Sequence, residues 1–163
     1  LKTGDVQIIR SGNGITHAER LKPGSRIFQI WFDPNIRVSM LKEATYDDYK
    51  SEDILPTIEN GISLKNYVGN GGLVQMDTEG VEIKEIHLSD KEQSLELDST
   101  KIHSFYVLDG IVEINNQKAK ADDFILVENE SEIKFKIANG VKLFSIAVPQ
   151  KLSYKSYIEL VNN

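Results

Sequence analysis

The chain has 163 residues, with 19 Lys plus Arg, 25 Asp plus Glu, 3 His and no Cys, for a formal net charge of −6. That length can bury a sizeable core in one domain, while the lack of Cys excludes disulfides, thiolate metal sites and cysteine nucleophiles. The acidic balance argues against direct nucleic-acid binding, and no apolar run approaches the ~20 residues that cross a bilayer, so a soluble, cytoplasmic protein is expected.

Period-two alternation predicts strands in two groups. The first group is Val6 to Arg10, Ile15 to Glu19 and Arg26 to Phe32. From Ser39 to Gly61 the pattern breaks into a polar, acidic stretch that reads as a linker or surface crossing. Beyond Gly61 nine strands are expected: Ser63 to Val68, Leu73 to Asp77, Val81 to His87, Ser94 to Asp98, Ile102 to Leu108, Ile111 to Asn115, Asp123 to Glu128, Glu132 to Ala138 and Val141 to Val148. Tyr154, Ile158 and Val161 share one helical face, which suggests a short terminal helix. A double-sheet jelly roll needs about eight strands, so the second group suffices for a sandwich and the first does not. The predicted organisation is 1–38 as a partial first unit, 39–61 as linker and 62–163 as a complete second domain.

The densest chemistry lies in Gly12-Asn13-Gly14-Ile15-Thr16-His17-Ala18-Glu19. Residues two apart on a strand point to one face, so His17 and Glu19 project together and could share a divalent metal. On spacing alone, such a pair is more often a surface pair than a metal site. Glu82 and Glu85, three apart, face opposite sides of a strand and make a poor acid–base pair. His87 reads as a surface residue at a strand end. His103 reads as a surface residue or the remnant of a pocket.

The segment GDVQIIRSGNGITHAER followed by FQIWFDPN resembles a metal motif of the pirin-like bicupins. Gly4, Asp5, Val6 and Gln7 match its first part, Gly12, Gly14, Ile15, His17, Ala18 and Glu19 its second, and Gln29, Ile30 and Trp31 its third. Phe28 replaces a family Leu. Tyr46 and Asp53-Ile54 resemble the inter-domain crossing, and FYVLDGIVEINNQKAKADDFILVENE the core hairpins of the second barrel. The resemblance implies an all-β fold of cupin jelly-roll sandwiches: a complete C-terminal barrel plus the closing strands of an N-terminal one. It also implies a metal, commonly Fe2+, held by three His and one Glu, with His17 and Glu19 as two of the ligands and Glu19 also as a catalytic base. The family's remaining His-x-His ligands have no counterpart here, so a shortened first barrel with no metal or a weakly held one is expected.

Three functions compete on this reading. The first is part of an iron-dependent dioxygenase of the quercetin 2,3-dioxygenase kind, with a small aromatic substrate and little activity in this chain. The second is a non-enzymatic regulatory module that binds a protein partner through the apolar Ile27 to Trp31 strand, or self-associates through orphan strands as a homodimer. The third is a metal-free cupin holding a small molecule inside the second barrel.

Overall fold

The computed structural model describes residues 1–162. Twelve strands run in chain order: β1 (Val6–Arg10), β2 (Thr45–Tyr49), β3 (Thr57–Glu59), β4 (Ile62–Val68), β5 (Glu82–Leu88), β6 (Glu92–Glu96), β7 (Lys101–Asp109), β8 (Ile111–Ile114), β9 (Gln117–Lys120), β10 (Phe124–Glu128), β11 (Glu132–Ile137) and β12 (Val141–Pro149). Helices α1 (Ile36–Ser39) and α2 (Tyr157–Val161) are short. β10-β7-β12-β5-β4-β3 form a six-stranded sheet and β6-β11-β8-β9 a four-stranded one. Every pairing between strands is antiparallel.

The two larger sheets face each other as a sandwich. Alternate residues Phe105 and Val107 of β7, Leu143 of β12, and Ile86 and Leu88 of β5 turn inward from the large sheet. Val112, Ile133 and Phe135 meet them from the small one. Phe105 packs edge-on against Phe135, with ring centroids 6.2 Å apart at 80°. Asn115 and Asn116, with φ of 50° and 62°, make the two-residue turn from β8 to β9. Left-handed backbone at both positions matches the strand twist, and Asn tolerates it.

The large sheet is buried on its other face as well. Tyr67, Val68, Val81 and Ile83 form a second cluster there, with Phe144, Ile146 and Val148 of β12. Burial on both faces explains the nearly continuous apolar run of β12. Its cover comes from the front of the chain: Val6 and Ile8 of β1, Tyr49 of β2 and Phe32. β1 pairs with β2 in register from Val6↔Tyr49 to Arg10↔Thr45.

Five sequence expectations need correction. Ile15 to Glu19 and Arg26 to Phe32 are not strands, and neither is Leu73 to Asp77. The Arg26 to Phe32 segment lies over the face of the large sheet, where backbone finds no ladder partner, so its alternation produces packing without pairing. Phe28 stacks on Phe144 at 4.9 Å and 6°, and meets Tyr106 edge-on at 5.0 Å. Finally, the stretch expected as a crossing carries β2 and β3, and β9 lies in a segment where no strand was expected. The terminal helix is present as α2, closed by a capping box between Ser156 and Glu159.

The β1–β2 pair is anchored by the Asp5 carboxylate. Asp5 accepts hydrogen bonds from the Ser51 and Lys2 backbone N–H groups and sits 3.3 Å from Lys50 Nζ. These donors hold its carboxyl at about 2, below the ordinary 3.8. A depressed folded value contributes stability above the unfolded pKa, and that stability is lost as pH falls through the folded one. The β1–β2 amides are therefore expected to lose exchange protection between about pH 4 and pH 2, and Asp5→Asn to remove that pH dependence, as read by hydrogen exchange.

Candidate functional site

His17 and Glu19 lie on the coil that follows β1. Gly12, at φ +48°, turns the chain where a Cβ would fall 2.5 Å from the Lys42 carbonyl oxygen. The Asn13 N–H donates to that same oxygen at 2.8 Å, tying the coil to the start of the return strand. Further along, Arg26 donates to Asp122 at 2.5 Å and to the Tyr106 hydroxyl oxygen at 3.1 Å. Tyr106 also donates to Asp122, and the two donors together hold that carboxyl below its ordinary value. The coil is thus pinned on both sides of the pair.

Between those pins, His17 Nδ1 and Glu19 Oε1 stand 3.9 Å apart, each side chain 38% exposed. Two adjacent donors each ~2.1 Å from one ion lie about 3.0–3.4 Å apart in octahedral or tetrahedral geometry, so this imidazole nitrogen and carboxylate oxygen would close by about half an ångström to take two positions of a metal centre. A firmly held ion needs about four donors. Among the described residues no group of three or more His, Asp or Glu side chains converges. The residues present therefore fit half of a metal centre and do not complete it, and no chemical step follows from them through a metal.

The other two histidines stand elsewhere. His103 is 6% exposed, on the inner face of β7 with Phe105 and Val107. Its Nε2 lies 2.9 Å from the Asp98 carbonyl oxygen. The surface reading of His103 is therefore corrected to a core one. Nearby on the large sheet, Glu82 is bound by both Lys101 and Lys84. Burial alone would raise that carboxyl, but the two ammonium groups outweigh it and hold it low.

His87 does face outward, but not alone: its Nε2 is 2.5 Å from Glu85 Oε1, and Lys142 Nζ is 3.6 Å from the same oxygen. Sequence reasoning missed this pair, although Glu85-x-His87 shows the same two-residue spacing that singled out His17 and Glu19. The Glu85 charge also helps burial push the Tyr67 hydroxyl up to about 12. Lys142 already neutralises Glu85, which disfavours a cation there. No lysine or arginine pairs with Glu19 among the described residues.

No protein-family model matches this chain, and no curated protein matches it. Solved structures do match. The protein GK1651 from Geobacillus kaustophilus superposes with a TM-score of 0.68 at 19% identity, covering 93% of this chain and 67% of that one. A quercetin 2,3-dioxygenase from Acinetobacter baumannii gives 0.61 at 17% identity, covering 71% of this chain and 39% of that one. A second structure of a quercetin 2,3-dioxygenase from the same organism gives 0.60 at 15%, covering 79% and 50%. This chain thus spans half or less of those two dioxygenase chains. At such identities the likeness defines the fold: an all-β cupin jelly roll. No helix among the described residues is long and apolar enough to cross a membrane.

Proposed function

We propose that this chain is part of a pirin-like, metal-dependent cupin dioxygenase in which His17 and Glu19 are two of the metal donors. The observation that carries the reading is the pair itself. An imidazole and a carboxylate converge to 3.9 Å on a coil pinned at Gly12 and at Arg26. The fold supports it, because quercetin 2,3-dioxygenases share this jelly roll. The remaining donors would come from outside these residues, the ion would be iron or another divalent metal, and the substrate a small aromatic molecule. When bound, the metal would supply Lewis-acid and redox chemistry, and Glu19 would orient it or take a substrate proton.

The test is divalent-metal titration of the 163-residue chain by calorimetry. Weak, readily chelated binding is expected, and His17→Ala or Glu19→Ala is expected to abolish it. Stoichiometric iron resistant to chelators would contradict the two-donor reading. Binding undiminished in the double variant would contradict the site.

A second reading, a non-enzymatic module with a protein partner, is favoured by one observation. Ile27 is 50% and Trp31 85% exposed on the coil over the large sheet. Large apolar side chains grouped at a surface mark contact sites. The third expectation, a ligand inside the barrel, meets a centre already filled by Phe105, Phe135, Leu143 and their neighbours.

A further inference from the structure

Four strands end the two larger sheets, and they are not equally protected. β3 has only three residues, and β6 exposes Glu92, Ser94 and Glu96. Short length and repeated like charge both discourage a new strand, and β9, four residues with Lys118 and Lys120, is guarded in the same way against any but an acidic partner strand. β10 has five residues, FILVE, with Phe124 64% and Leu126 57% exposed and one backbone edge free. Such an edge invites pairing. β9, the end of the opposite sheet, lies beside β10 across an open groove of about 550 Å³. Lys118, Ala119, Ile125, Val127 and Glu128 are among its lining.

The charges of this side are sorted by strand. β9 carries Lys118 and Lys120. Glu128 ends β10, and Glu130 follows it. Within the described residues none of these four side chains has a hydrogen-bond or ion-pair partner. The side therefore holds one basic and one acidic edge, both unsatisfied, in a single surface.

We propose that a second copy of this chain pairs here about a two-fold axis parallel to the strands. That rotation exchanges the layers, so that β9 of the second copy lies antiparallel beside β10, and β10 of the second copy beside β9. Matching inward faces sets the register. Val127 meets Ala119 of the second copy inside, and Glu128 meets its Lys118 outside. Leu126 lies along the aliphatic stem of its Lys120. Both unpaired edges close at once, as an isologous interface requires, and each sheet continues into the other copy. Pairing β10 with itself about Leu126 would instead set Asp122 against Glu130 of the second copy, which is repulsive.

Sedimentation equilibrium on the full chain tests this with charge swaps. The wild type is expected at twice the chain mass. Lys118→Glu with Lys120→Glu, and separately Glu128→Lys with Glu130→Lys, are expected to raise the dissociation constant about 100-fold or more, since like charges across an interface cost several kcal/mol. All four positions are on the surface, and far-ultraviolet circular dichroism confirms that each variant is folded. An equimolar mixture of the two variants is expected to dimerise again, because each then meets the opposite charge on both strands. A monomeric wild type overturns the proposal, including one whose β10 edge is taken by a different protein. So does a dimer that both reversals leave intact, or a mixture that stays monomeric.

Discussion

Phe105→Ala is expected to lower the unfolding free energy by about 3–5 kcal/mol. The side chain is fully buried, sits on the central part of β7, and meets Phe135 of the opposite sheet edge-on. On its own sheet it lies in register between Ile125 of β10 and Ser145 of β12. Truncation opens a void between two sheets whose backbones are held by continuous ladders and cannot collapse into it. Domains of this kind have only about 5–15 kcal/mol in total, so about a fifth of the stability or more is at stake. Urea unfolding reads the effect as a lower midpoint with an unchanged slope. A loss below about 1 kcal/mol would mean that the sandwich core repacks freely, against the interlocked arrangement described above.

Gly12→Ala is expected to cost about 1–3 kcal/mol and to disturb the candidate site from a distance. Two effects add. The residue sits at φ +48°, where a side chain is strained, and its Cβ would fall 2.5 Å from the Lys42 oxygen and 2.8 Å from Glu43 backbone atoms. Those obstacles are main chain, so no rotamer change relieves them. The Asn13-to-Lys42 hydrogen bond must lengthen, and the coil that carries His17 five residues later loses one of its two pins. Faster amide exchange at the open end of the β1–β2 pair and a shifted His17 ring signal are the expected readouts. Unchanged exchange and an unchanged His17 signal would show that the coil is positioned by Arg26 and Phe28 alone.

The sandwich was legible because its strands are half-buried. Ile102 to Leu108, Glu132 to Ala138 and Val141 to Val148 alternate or run apolar, and all three appear as strands close to those bounds. β9, QKAK, was not legible. Its single inward residue is Ala119, and its lysines face water, so no apolar period marks it. β2, TYDDY, is mostly exposed and was hidden for the same reason. The opposite error arose at Arg26 to Phe32, where alternation reflects packing over a sheet face and no edge is available. At the site, His17 and Glu19 lie 3.9 Å apart on coil, so the strand alternation from which their closeness was expected is not what brings them together. The acceptor of His103 was not legible, because it is a backbone carbonyl that any sequence supplies.

The claim that His17 and Glu19 bind a metal is tested most directly by the three imidazole signals of the isotopically labelled chain as Mn2+ is added. The rings lie in three settings: paired with Glu19, paired with a lysine-neutralised Glu85, and buried against the Asp98 carbonyl. The His17 signal is expected to broaden first, those of His87 and His103 to persist, and Glu19→Ala to suppress the effect. Broadening that begins at His87 or His103, or that ignores Glu19→Ala, would contradict that claim.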